Sequence, residues 1–97
     1  MSIEEKSLGG AIRACGARLK QLHACGNDRG APGNGHLPWD EIAQALTAVG
    51  YDGPVVIESF TDQVVSIARA AAVWRPFEPS QDALASDGLA FLKRLLA

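Results

Sequence analysis

The chain has 97 residues, of which 47% are hydrophobic and 21% charged, with a formal net charge of −2. That balance describes a compact, packed protein and argues against a basic nucleic-acid or membrane-surface binder, because no Lys/Arg stripe interleaved with aromatics is present. No apolar run approaches the roughly 20 residues of a membrane span, and Glu4 and Glu5 stand where a secretory leader would be cationic and then apolar, so the expectation is a cytoplasmic protein.

In chain order, Ser7 caps a helix expected to run to about Ala17, in which Leu8, Ile12 and Cys15 share one face and Gly16 marks the end. Leu19 to Cys25 reads as a strand, with Gln21, His23 and Cys25 on one side and Lys20, Leu22 and Ala24 on the other. A glycine-rich loop from Gly26 to Leu37 follows. It lacks a Walker lysine and a strand-loop-helix G-x-G-x-x-G, so a turn-rich connection is a better reading than a phosphate cradle.

Pro38 suits the first turn of the next helix, Asp40 and Glu41 lie near its positive end, and Trp39, Ile42, Leu46 and Val49 form its apolar stripe up to Gly50. Tyr51-Asp52-Gly53 turns the chain into Pro54 to Phe60, whose Val55, Val56 and Ile57 are typical of a strand buried on both faces. A helix from roughly Asp62 to Val73 is expected to bury Val64, Val65, Ile67 and Ala71. The Trp74-Arg75-Pro76-Phe77-Glu78-Pro79 segment breaks it. Ser80 then caps a terminal helix with Leu84, Leu89, Leu92 and Leu96 toward a core, and both tryptophans occupy core-type positions. This alternation predicts an α/β fold with two parallel strands joined by a crossover helix.

Cys15 and Cys25 have nine residues between them and no neighbouring cysteine, so they read as small reduced residues rather than a zinc knuckle or redox dithiol. Asp40, Asp52 and Glu78 are accounted for by capping and turn chemistry, and His36 has only loop context. Glu58 is different. A carboxylate at the end of an apolar strand is costly unless paired, hydrogen-bonded or bound to a cation. The bland alternative is that the strand stops at Ile57 and Glu58 points into solvent. His23 ends the other strand, where a lone histidine is more often a hydrogen-bonded interior residue than a ligand.

The segment H-A-C-G-N-D-R-G-A-P-G-N-G-H-L-P-W-D, together with G-Y-D-G-P-V-V-I-E-S-F, resembles the C-terminal quarter of the ketohexose (D-tagatose/D-psicose) 3-epimerases of the xylose isomerase-like sugar isomerase and epimerase superfamily. The resemblance extends to Met1-Ser2-Ile3-Glu4-Glu5-Lys6, similar to the loop after the sixth barrel strand, and to the W-R-P-F-E-P-S-Q-D-A-L-A tail. A (β/α)8 TIM barrel needs about 250 residues. The resemblance therefore implies that residues 1–97 are the C-terminal portion of such a barrel, a partial barrel of the last two to three β/α units.

In that family a histidine ending the seventh strand and a glutamate ending the eighth bind a divalent metal, and an arginine follows the histidine in H-x5-R. These motifs fall on His23, Glu58 and Arg29. The resemblance implies metal ligation by His23 and Glu58, acid/base catalysis at the sugar C3 by Glu58, a substrate contact from Arg29 and a hydrophobic wall from Phe60. The implied cofactor is manganese or cobalt, which stabilises the negative charge of an enediolate. Departures are Gly26, where many members carry glutamate in H-x-x-E-N, and the lack of any counterpart to the two remaining metal ligands, one of which is the second acid/base group.

Two functions follow as expectations. One is a metal-dependent ketose 3-epimerase fragment that is inactive alone; the other is a non-catalytic, self-associating α/β scaffold. Open strand edges favour a homo-oligomer, or completion by a missing barrel segment, with Val56 or Leu22 near the interface centre.

Overall fold

The computed structural model describes residues 3–76 and 78–97. Its elements are helix α1 (Leu8–Cys15), a 3-10 turn (Gly16–Arg18), strand β1 (Leu22–Ala24), helix α2 (Trp39–Ala48), strand β2 (Val55–Ile57), helix α3 (Val65–Ala70) and helix α4 (Gln81–Leu95). Met1 and Ser2 of the expected N-terminal loop and Phe77 of the proline-rich connector lie outside the described residues.

The two strands form one two-stranded sheet. The Leu22 N–H donates to the Pro54 carbonyl at 3.2 Å and the Glu58 N–H to the Ala24 carbonyl at 2.9 Å, so both strands advance in the same direction and the pair is parallel. Both strands are shorter than their sequence pattern. The 3-10 turn takes up residues 16–18 before β1, and Pro54 has no N–H to give to β2. Beyond Ile57 the backbone turns to other partners, the Phe60 N–H donating to the Arg29 carbonyl at 2.8 Å.

The chain divides into two compact units, residues 1–22 with 38–55 and residues 23–37 with 56–97. In the first, α1 packs on α2. Ile12, Ile42, Ala45 and Leu46 form the buried cluster, and Leu8, Leu19, Leu22, Trp39, Val49 and Tyr51 pack against it. Ser7 caps α1 as expected, its Oγ accepting from the Gly10 N–H at 2.9 Å. Glu41 adds a second cap from α2: its Oε1 accepts from Ser7 Oγ at 2.7 Å and from the Gly9 N–H at 3.0 Å. A Cβ on Gly9 would lie 2.6 Å from that oxygen, so the bare backbone is what admits the carboxylate. These hydrogen bonds, the Ser7 hydroxyl first, with Arg13 nearby, hold the Glu41 carboxyl below its ordinary value. Gly50, with φ of 66°, terminates the α2 segment in the left-handed region that other residues seldom adopt.

The second unit departs more from the sequence pattern. Ser80 caps α4 through the Ala83 N–H at 3.0 Å. Leu84, Gly88 and Leu92 are the buried face of α4, while Leu89 and Leu96, expected to face the core, are exposed. The cause is Gly88, which completes an i, i+4, i+8 row with the two buried leucines and lets Pro32 and Ile57 approach the helix axis. Helix α3 spans only six residues and buries Ala68. Val64, Val65 and Ile67, expected inside, are exposed, because so short a helix turns a single position inward. The β2 strand is likewise not buried on both faces, Val56 being 37% exposed. Trp39 packs on the core as expected, whereas Trp74 is 77% exposed. Among the described residues no helix is long and apolar enough to cross a membrane.

Candidate functional site

The residues singled out at the strand ends meet in the second unit. His23 lies in β1 and Glu58 immediately after β2, and the pairing of Glu58 N–H with the Ala24 carbonyl sets the two side chains together. His23 Nδ1 and Glu58 Oε2 are in hydrogen-bond contact at 2.7 Å, with the side chains 46% and 49% exposed. Half-exposed as it is, the pair adds little to stability, on the order of 0–1 kcal/mol. Its location at the C-terminal ends of parallel strands is the position at which barrel folds assemble their sites.

Arg29 is held by the turn that follows β1. Its φ is 69°, an uncommon left-handed conformation for a side-chain-bearing residue that costs on the order of 1–3 kcal/mol and persists only where the surroundings enforce it. Here they do. The Arg29 N–H donates to the Gly26 carbonyl at 3.1 Å, and the Gly26 N–H donates to the Gly30 carbonyl at 2.8 Å. Asp28 Oδ1 accepts from the Gly30 N–H at 2.9 Å, an Asx turn. The segment after β2 adds two bonds, Phe60 N–H to the Arg29 carbonyl at 2.8 Å and Ser59 Oγ–H to the Gly30 carbonyl at 2.8 Å. The guanidinium reaches the strand end, Nη1 approaching Cys25 Sγ at 3.7 Å. Phe60, the expected wall, is half-buried.

Nitrogen and carboxylate donors suit manganese, cobalt or zinc, and the 2.7 Å separation of His23 Nδ1 and Glu58 Oε2 is close to that of adjacent ligands on one ion, roughly 3 Å at bond lengths of about 2.0–2.2 Å. The fit is partial. Among the described residues no group of three or more His, Cys, Asp or Glu side chains converges to hold an ion. Two donors leave most of a coordination sphere to other ligands.

The other polar residues have local roles. Glu78 Oε1 accepts from Asn34 Nδ2 at 2.8 Å, and Asn27 Oδ1 accepts from the His36 N–H at 3.0 Å, both ordering the glycine-rich loop. Cys15 and Cys25 are free thiols. Sequence reasoning gave Asp28 and Ser59 no role of their own. The Asp-x-Gly spacing was the available signal for the first; the second had none, because its partner is 29 residues away.

The model of the Xylose isomerase-like TIM barrel family matches residues 4–95. A probable ketose 3-epimerase of Synechocystis sp. is 40% identical over 94 residues, which are 97% of this chain and 33% of that protein. The D-psicose 3-epimerase of Enterocloster bolteae is 44% identical over 89 residues, 90% of this chain and 30% of that enzyme. Among solved structures, an L-ribulose 3-epimerase superposes with a TM-score of 0.89 at 33% identity, covering 99% of this chain and 33% of its own. The D-psicose 3-epimerase of Clostridium cellulolyticum H10, solved with D-tagatose, gives a TM-score of 0.86 at 38% identity, covering 99% and 35%. The chain thus spans about a third of the length of the relatives it matches. Parallel strands, crossover helix and matched sequence together assign this chain to the Xylose isomerase-like TIM barrel family, among relatives named ketose 3-epimerases.

Proposed function

We propose that this chain carries one side of a ketose 3-epimerase site, with Glu58 as a proton-transfer group at the sugar C3, and that the 97 residues alone do not turn a ketose over. The observation that supports it is the His23–Glu58 contact at the ends of two adjacent parallel strands. Glu58, as a carboxylate, would take the C3 proton of a bound ketose, leaving an enediolate, and would give that proton to solvent once the reprotonated product has left. Inverting C3 requires a second proton donor on the opposite face of that carbon. Arg29 holds a sugar oxygen through its guanidinium donors. Phe60 covers the apolar face of the sugar chain. His23 and Glu58 would hold one side of a divalent ion, which when bound would stabilise negative charge on the sugar oxygens. Manganese or cobalt fits those donors.

The test is D-fructose and D-tagatose epimerisation by the purified chain with manganese, read as the product ratio over hours. No turnover above background is expected. Turnover that persists through purification and disappears in Glu58→Gln would overturn the claim of incompleteness.

A second reading is favoured by the exposed apolar residues Val56, Val64, Val65 and Ile67: a self-associating α/β scaffold in which copies of the chain cover one another's strand edges and helix faces. Both readings hold if association orders the partial site without completing its chemistry.

A further inference from the structure

We propose that Ser59 is a positioning residue for Arg29: its hydroxyl, acting with the Phe60 amide, locks the Asp28–Gly30 turn in the conformation that returns the guanidinium to the strand end carrying His23. The proposal rests on the reading of Arg29 as the sugar-holding group. It assigns that group's geometry to a residue that itself touches no substrate.

The geometry is over-determined across two consecutive peptide units. Arg29 lies at φ 69°, and the Arg29 and Gly30 carbonyls each receive a bond from the chain beyond β2. Phe60 N–H takes the Arg29 carbonyl and Ser59 Oγ–H takes that of Gly30. From the other direction, Gly26 N–H shares the Gly30 carbonyl, and Asp28 Oδ1 takes the Gly30 N–H. Three of these bonds are backbone or local and survive a change at Ser59. The hydroxyl is a side-chain bond between the two segments, and it spans 29 residues of sequence. Ser59 directly follows Glu58 in the sequence. A left-handed arginine has no intrinsic preference for this conformation, and it reverts to a right-handed or extended one when a tie is lost. That reversal swings the side chain away from Cys25.

The Arg29–Gly30 bond is a trypsin site, so the turn reports on itself without sugar, metal or turnover. Ser59→Ala is expected to speed cleavage after Arg29 by about tenfold or more, with cleavage after Arg13 and Arg18 unchanged; tenfold corresponds to 1.4 kcal/mol of local opening at equilibrium. Ser59→Thr keeps a hydroxyl and is expected to cleave at the wild-type rate. The carbonyl carbon resonances of Arg29 and Gly30 should shift in Ser59→Ala and not in Ser59→Thr. Wild-type cleavage after Arg29 in Ser59→Ala, or equal acceleration at all three arginines, would overturn the assignment. Because no catalysis enters, this outcome is independent of whether the chain belongs to an epimerase site.

Discussion

Replacing Gly88 by alanine tests how tightly α4 is seated on the loop that carries Arg29. Intrinsic preference favours the change, since glycine inside a helix costs about 1 kcal/mol relative to alanine. Packing opposes it. The new Cβ would lie 2.9 Å from Pro32 Cδ, 3.2 Å from Ile57 Cδ1 and 3.3 Å from Pro32 Cγ. The Pro32 ring is rigid and among the most completely buried side chains, so it cannot swing aside as the end of a flexible chain would. Overpacking of this kind costs about 1–3 kcal/mol. The balance is a net loss of about 1 kcal/mol, which for a chain of this size lowers Tm by about 4–8 °C. Urea and thermal unfolding at fixed protein concentration measure it, with exposed Ser86→Ala on the same helix as the propensity control. Pro32→Ala in the Gly88→Ala background should recover part of the loss, as contacting residues couple. A Gly88→Ala protein more stable than wild type by about 1 kcal/mol would refute the reasoning, for propensity would then be acting without a steric opponent.

Three further outcomes are expected. The Glu41 carboxyl is depressed in the folded chain, so its contribution is present above the ordinary glutamate value of 4.5 and is lost as pH falls through the folded value; urea midpoints should decline below about pH 4.5, and Glu41→Gln should flatten that decline. Manganese or cobalt should bind the isolated chain weakly, because His23 and Glu58 close only part of a coordination sphere, and more weakly still in Glu58→Gln; tight one-to-one calorimetric binding to a proven monomer would contradict this. Sedimentation at micromolar concentration should give a homo-oligomer that Val56→Asp dissociates or unfolds, and a compact, cooperatively folding monomer would exclude it.

The elements that the sequence made legible are those whose local chemistry agrees with their surroundings. Ser7 and Ser80 cap the helices they were expected to cap, and Ile12, Ile42 and Leu46 meet in the core that their spacing implies. His23 and Glu58 could be placed at strand ends because an apolar run interrupted by a polar residue marks where pairing stops. What failed is tertiary. Leu89 and Leu96 were indistinguishable from Leu84 and Leu92 by periodicity, and only the approach of Pro32 to Gly88 decides which row faces inward. Val64, Val65 and Ile67 read as buried on propensity, yet α3 is too short to turn them all to one side. The left-handed Arg29 was only partly legible, since local bonds from Gly26 and Asp28 are joined by bonds from Ser59 and Phe60, on the far side of α2 in sequence.

The central claim, that Glu58 is the proton-transfer group of a partial ketose 3-epimerase site, is tested most directly by completing the barrel. The units that this chain does not span would be supplied from the D-psicose 3-epimerase of Enterocloster bolteae, and D-fructose epimerisation measured with manganese at fixed protein concentration. The account predicts turnover in the completed protein and a loss of about 10²–10⁴-fold in kcat for Glu58→Gln, the range that a positioned acid/base group contributes. Full activity retained in the Glu58→Gln protein would contradict it.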